Sequence, residues 1–429
     1  MTIRIPLRLQ SLISFSHYLR NISFYSYRQL EKADVLFFSS DANKSETVVG
    51  GKRFDRYLDT IGSLAKSKGY SIKSISWPGS FYHGKKTWRE TLNITWPFLI
   101  ALAKDVFSTE TESKTHRLSF FLYLLELVKP RVIFTIGEFD GFVRSAARSL
   151  GIPCVEVLHA SGYHTSPDAW FATQELPSHV LAFDKVSKEL LVEYCGRDSE
   201  IILTQDYWTN AWHQQPKDTI MGNGISLPKF AFTPTLSSAP YRIVVSLQWG
   251  YGGDSSRYVG KSRGEIFQNG LFPINLLKAM DDLGESAFWH FRLHPVQLNS
   301  RMSLYKKQRK YLDRLFEGRR NVDVLNASHT PLPSLLSECT HNITTSSSLC
   351  YEAAEFGIPT LTTSPLLLSG QALEARFQDL SREGYLTKVD PDFPGIANWV
   401  RGTSLMMPRH RSGLGRSVED VFDGLIAGI

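Results

Sequence analysis

Two short stretches hold the residue types that can handle a phosphate. The first is Phe288-Trp289-His290-Phe291-Arg292-Leu293-His294-Pro295. Alternate residues of a strand share a face, so His290, Arg292 and His294 line one side, and Pro295 stops the strand. Arg292 can bind a phosphate, and the His294 imidazole can protonate or stabilise a departing one. Alternatively, His294 is a strand-end histidine bonded to a backbone carbonyl. The second stretch is Thr344-Thr345-Ser346-Ser347-Ser348 followed by Leu349-Cys350-Tyr351-Glu352-Ala353-Ala354-Glu355-Phe356-Gly357. Hydroxyls and free backbone N–H groups at a helix start make an anion site. Simple capping needs only one serine. Glu352, one helical turn inward, either bonds a ribose hydroxyl or complements the helix dipole.

Other candidates sit at similar places. Gly137-Glu138-Phe139-Asp140-Gly141 falls where a strand hands over to a helix, and Glu138 and Asp140 are candidate general bases. Asp140 is equally a candidate cap. The loop from Gln248 contains Gly250 and Gly252, which can let the backbone approach a diphosphate, though it matches neither G-x-G-x-x-G nor a P-loop. His159, Tyr163 and His164 follow another strand and are candidates for an acceptor side.

These residues need strand ends to position them. Apolar runs at 35–38, 131–136, 154–158, 180–182 and 200–203 alternate with helical patterns at 57–68, 118–128, 140–150 and 185–194. That alternation predicts βαβ units and a parallel sheet. The pattern fails over 209–240, where four prolines fall, and resumes at Tyr241 with strands near 243, 288, 322, 341 and 359. The expected organisation is an acceptor-side domain over 1–208, a linker over 209–240, a nucleotide-sugar domain over 241–400 and a helical tail over 401–429. Ligands bind parallel sheets outside the carboxyl ends of the strands. In both halves the polar candidates lie at those ends.

Composition narrows the partners. The chain has 429 residues and a net charge of +6, with 42% hydrophobic and 21% charged residues, as expected of a globular protein of two or three domains. Its four cysteines, Cys154, Cys195, Cys339 and Cys350, form no CxxC pair, which argues against a zinc site and fits a reducing compartment. No apolar run reaches transmembrane length, and no signal peptide is expected. The N-terminal residues, with Arg4, Arg8 and Arg20 among apolar side chains, read as an ordinary helix or arm, or as an interfacial segment in peripheral membrane contact. A nucleic-acid partner is not expected, because basic and aromatic residues are not interleaved.

The motifs resemble those of GT-B glycosyltransferases of bacterial surface polysaccharides, and of bacterial polysialyltransferases and related CMP-sugar transferases in particular. The matching residues are His294-Pro295, the Ser346-Ser347-Ser348 run, and Asp140-Gly141 as the end of an acidic motif. Phe139 stands where that motif has an acid, and Glu138 is the nearest carboxylate before it. Teichoic-acid polymerases and Kdo transferases show a similar His-Pro layout. The resemblance implies a GT-B-like α/β fold of two Rossmann-like domains facing each other across a cleft. It implies an inverting, metal-independent transfer of a sugar from a nucleotide-sugar donor to a glycan or lipid-linked acceptor, with no cofactor. That places the protein in capsule or lipopolysaccharide synthesis, in the cytoplasm or peripherally on the inner membrane. A polyol-phosphate transferase or a UDP-sugar 2-epimerase would use the same fold, as would a non-catalytic nucleotide-sugar-binding protein.

Overall fold

The structure, a computed structural model, describes residues 30–39, 47–49, 52–76, 87–89, 91–107, 115–136, 141–158, 176–209, 221–222, 225–226, 235, 237–248, 257–258, 261–262, 266–298, 303–371, 373–409 and 415–427. The first half runs β1 (Val35–Ser39), α1 (Leu58–Ser67), β2 (Ile72–Ser76), β3 (Leu92–Asn93), α2 (Thr95–Phe107), α3 (Thr115–Val128), β4 (Val132–Ile136), α4 (Phe142–Ser149), β5 (Cys154–Val157), β6 (His179–Ala182), α5 (Lys185–Cys195) and β7 (Glu200–Leu203). The second runs β8 (Tyr241–Ser246), α6 (Asn275–Leu283), β9 (Ala287–Arg292), α7 (Ser303–Leu315), β10 (Val322–Asp323), α8 (Leu325–His329), α9 (Leu332–Leu336), β11 (His341–Thr344), α10 (Leu349–Glu355), β12 (Thr360–Thr362), α11 (Gln378–Arg382), β13 (Leu386–Lys388) and α12 (Ile396–Gly402). Helix α13 (Val418–Ala427) ends the described chain.

The first seven strands form one parallel sheet in the order β3-β2-β1-β4-β5-β6-β7. Both faces are covered, which is why its strands read as continuous apolar runs. Val35, Phe37, Val132 and Phe134 pack with α1, α5 and α13 on one side. Leu36, Phe38 and Ile133 pack with α2, α3 and α4 on the other. The tail therefore returns to the first domain. Val418, Val421, Phe422, Leu425 and Ile426 join that domain's core, and Lys68 of α1's C-cap pairs with Glu419 and Asp423.

The other six strands form a second parallel sheet, β10-β9-β8-β11-β12-β13. Its apolar face carries Ile243, Val245, Trp289, Phe291, Ile343 and Leu361 against α6, α7 and α12. The expected α/β architecture of two Rossmann-like, GT-B-like domains is the one observed.

In each sheet the chain starts on an inner strand, builds outward one way, then returns to build the other way. The reversal falls between β1 and β4 in the first sheet and between β8 and β11 in the second. Parallel sheets offer a ligand crevice at such a switch point. The serine run follows β11, at the second sheet's switch point. The His294 and serine strands are not neighbours in this sheet, because β8 lies between β9 and β11.

Candidate functional site

Strand register assembles the second domain's half of the site. Arg292, Ser246, Thr344 and Thr362 are in register across β9, β8, β11 and β12. Parallel partners in register share a face, so these four make one polar row at the carboxyl end. Beneath it lies the row His290, Val244, Asn342 and Thr360. Hydrogen bonds bind the rows together. Ser246 Oγ donates to Asn342 Oδ1 at 3.2 Å, Asn342 Nδ2 donates to Thr360 Oγ1 at 3.1 Å, and Thr344 Oγ1 donates to the Ser246 carbonyl at 2.8 Å. Without these bonds, so many buried hydroxyls and amides would be costly.

His294 follows the end of β9 and is half-buried. Its N–H donates to Gln297 Oε1 at 2.7 Å, and its carbonyl accepts from the Gln297 N–H at 2.7 Å. This closed turn at Pro295–Leu298 holds the backbone of His294 in place. Arg292 is buried, and its Nη1 donates to the carbonyls of Ala327 and Thr330 at 2.6 and 2.8 Å. It therefore braces the segment carrying His329. His290 is wholly buried, with Nδ1 3.8 Å from Asp323 Oδ2. Burial works to raise the Asp323 carboxyl, but His290, the Thr235 hydroxyl and the Asn326 N–H outweigh it and hold it below the usual range.

The serine run is partly taken up by local structure. The Leu349 N–H donates to Ser347 Oγ at 3.2 Å, the Cys350 N–H to the Ser347 carbonyl at 3.3 Å, and the Tyr351 N–H to the Ser348 carbonyl at 3.0 Å. The first backbone donors of α10 are thus engaged, contrary to the expectation of free ones at this helix start. Ser347 acts as the local cap. Ser348 makes no side-chain capping bond, and Ser346 is mostly buried.

Glu352 has a partner that the sequence did not suggest. Arg56 Nη1 lies 2.8 Å from Glu352 Oε1, and the side chains are 19% and 10% exposed. Arg56 precedes α1 at the carboxyl edge of the first sheet, and Glu352 lies on α10 at that edge of the second. This ion pair therefore joins the two domains at those edges. Arg56 sits on a firmly held turn. Asp55 Oδ1 accepts the Tyr57 and Leu58 N–H groups, each at 3.0 Å, and Asp59 Oδ2 accepts the Asp55 N–H at 2.7 Å. Asp59 is fully buried and pairs with Arg89 at 3.2 Å. The Arg56 guanidinium lies 4.8 Å from the Tyr57 ring, which stacks on Phe183 at 4.9 Å.

Positive charge gathers around His329. Burial, then Arg309, Arg292 and Arg53, push the His329 imidazole down to about 4. Arg53 comes from the first domain, so both halves supply cations here. Neither Arg53 nor Arg56 belongs to a recognisable motif. Their position before an acid-rich helix start was the only available signal.

In the first domain, α4 has its N-cap at Gly141, in left-handed backbone with φ of 73°. A glycine suits that conformation, and the cap is Gly141, not Asp140. Glu138, Phe139, Asp140, His159, Tyr163, His164, Gly250 and Gly252 lie outside the described residues.

Buried imidazoles give this region a pH dependence. Burial pushes His341 down to about 4, against hydrogen bonds with Thr403 and Val400 that work the other way. His329 and His341 are thus neutral in the fold where an unfolded histidine, with its ordinary value of 6.5, takes up a proton. The unfolded chain binds more protons below 6.5, so their contribution to stability is complete above that pH and declines as the pH falls towards about 4. Thermal melts across this window are expected to show a falling Tm, with a shallower fall in His341→Gln. Equal slopes in the two proteins would remove His341 from this account.

The chain matches no protein-family model and no curated protein. Solved structures of similar arrangement include a UDP-GlcNAc 2-epimerase from Methanocaldococcus jannaschii, 13% identical, with 88% of this chain and 93% of that one covered at a TM-score of 0.48. Acinetobacter baumannii MurG is 10% identical, with 92% and 93% covered at 0.42. The glycosyltransferase SnogD from Streptomyces nogalater is 14% identical, with 92% and 99% covered at 0.45.

Proposed function

We propose that this chain is an inverting glycosyltransferase moving a sugar from a CMP-activated donor, such as a sialic acid or Kdo, to a glycan or lipid-linked acceptor. Its setting would be capsule or lipopolysaccharide synthesis at the cytoplasmic side of the inner membrane. The observation that supports this reading is the polar row of Arg292, Ser246 and Thr344 at the second sheet's switch point, facing the first domain through Arg56 and Glu352.

On this reading the nucleotide phosphate lies between His294 and the hydroxyls of Ser346 and Ser348, within the positive field of Arg53, Arg292 and Arg309. Donors aimed at developing charge are the most effective form of stabilisation. Glu138 or Asp140 removes the proton from the acceptor hydroxyl. The acceptor oxygen bonds to the anomeric carbon as the bond from that carbon to the phosphate oxygen breaks. CMP leaves, stabilised or protonated by His294. Gly250 and Gly252 let the backbone approach the nucleotide phosphate, and His159, Tyr163 and His164 serve the acceptor side. Neither a metal nor a further cofactor takes part in this scheme.

A product assay tests it. The protein is incubated with CMP-sialic acid or CMP-Kdo, with and without a glycan acceptor, and separately with UDP-GlcNAc. Acceptor-dependent release of CMP with a lengthened glycan is expected. A 2-epimerised sugar from UDP-GlcNAc without acceptor, free or still on UDP, would replace the reading with epimerisation, and nucleotide binding with no product in any mixture would make the protein a binder.

A further inference from the structure

Two backbone N–H groups lie just past the strand pairing of β9. Its register with β8 ends at Arg292, and its pairing with β10 ends at His290. Leu293 and His294 follow, and a buried side chain meets each of their N–H groups. The Leu293 N–H donates to Ser328 Oγ at 3.1 Å, and the His294 N–H donates to Gln297 Oε1 at 2.7 Å. Gln297 is held in turn, because its Nε2 donates at 3.1 Å to Oε1 of Gln308 on α7. Ser328, Gln297 and Gln308 are 1%, 3% and 4% exposed.

The first member of this chain of bonds fixes its direction. A backbone N–H can only donate, so Gln297 must turn its oxygen to His294 and its NH2 group to α7. Gln308 must then present its oxygen. Without that acceptor the Gln297 NH2 group would be buried and unpaired, which is costly. Packing alone does not call for an amide here. Leu312, one turn further along the same face of α7, is a fully buried core residue. A buried amide is the dearer choice at position 308 unless its hydrogen bond is needed. Pro295 adds a second restraint, since a proline disfavours helical backbone at the residue before it.

We propose that Gln308 is a positioning residue for His294. Acting through Gln297, it fixes the backbone from which the imidazole projects, so α7 sets where that imidazole stands. The inference rests on the role that the transfer reading gives His294, but its structural half can be measured without turnover.

The full-length chain is labelled with 13C-histidine. The His294 C2–H signal is identified by its loss in His294→Ala, and that of His341, on β11, by its loss in His341→Gln. Gln308→Leu is expected to shift the His294 signal and leave the His341 signal in place. Gln308→Glu keeps an acceptor oxygen for Gln297 and should return the His294 signal towards its wild-type position. Gln308→Met, unbranched and flexible, takes the place of Gln308→Leu should the latter melt early. Where the product assay shows transfer, loss of the amide should lower kcat about 10- to 100-fold, as a small misplacement of a reacting group does, with KM nearly unchanged. Gln308→Glu should recover most of that loss. The inference is overturned if the His294 signal stays in place without the amide, if kcat is then that of the wild type, or if the His341 signal moves as well, the mark of a general loosening. If no mixture yields a product, the transfer reading falls, and the two histidine signals still decide whether Gln308 holds His294.

Discussion

Replacing His294 with alanine is expected to lower kcat by about 10²- to 10⁴-fold, the range a positioned acid or base contributes. The bottom of this range applies if the imidazole only stabilises charge on the leaving phosphate, and the top if it also delivers a proton. The turn that holds His294 is made by backbone and Gln297 contacts, so alanine should leave the fold intact. KM for the donor is expected to move much less than kcat, because the interaction matters most as charge develops on the departing phosphate. Steady-state kinetics with matched circular dichroism would check both points. A rise in KM at wild-type kcat would reduce His294 to a ground-state contact.

The second large effect is expected at the interdomain pair. Arg56→Ala removes the cationic partner of Glu352, a carboxylate only 10% exposed. Breaking such a pair is expected to cost about 3 kcal/mol, the lower end of the range for buried pairs because Arg56 retains some solvent contact. Arg56→Glu combined with Glu352→Arg should recover part of the loss, because the Coulombic contact is restored in reverse. Denaturant titration of the single and double variants measures this coupling. Additive effects would mean that the two side chains do not hold the domains together.

Much of the fold can be read directly from the residues. The central strands of the first sheet are buried on both faces, so Val35–Ser39, Val132–Ile136 and Cys154–Val157 stand out as apolar runs between helical patterns. Gly151, with φ of 68°, and the nearby Pro153 mark a helix end for local reasons. The short pieces are not legible. The hairpins Thr47–Val49/Lys52–Phe54 and Phe267–Gln268/Phe272–Pro273 are too brief for a period-2 pattern to form. Strand Leu386–Lys388 is half polar because it lies at the sheet's edge.

The site divides along the same line. His294, Arg292 and the serines are visible because each sits at the end of a strand with strong local signals. Arg56 is invisible because its partner lies 296 residues away and no local period links them. The position of β8 between β9 and β11 is invisible for a related reason. Chain order does not encode the side of the first strand on which later strands are added.

The most direct test of the central claim, that His294, the serines and the facing cations receive one nucleotide phosphate, is the shift in Tm with CMP, CDP, UDP and GDP. A ligand that binds only the folded state at 100-fold its Kd adds about 2.7 kcal/mol of stability. The account predicts the largest upward shift with CMP, much of it lost in Ser348→Ala. No shift with any of the four nucleotides, or a CMP shift that Ser348→Ala and His294→Ala both leave unchanged, would contradict it.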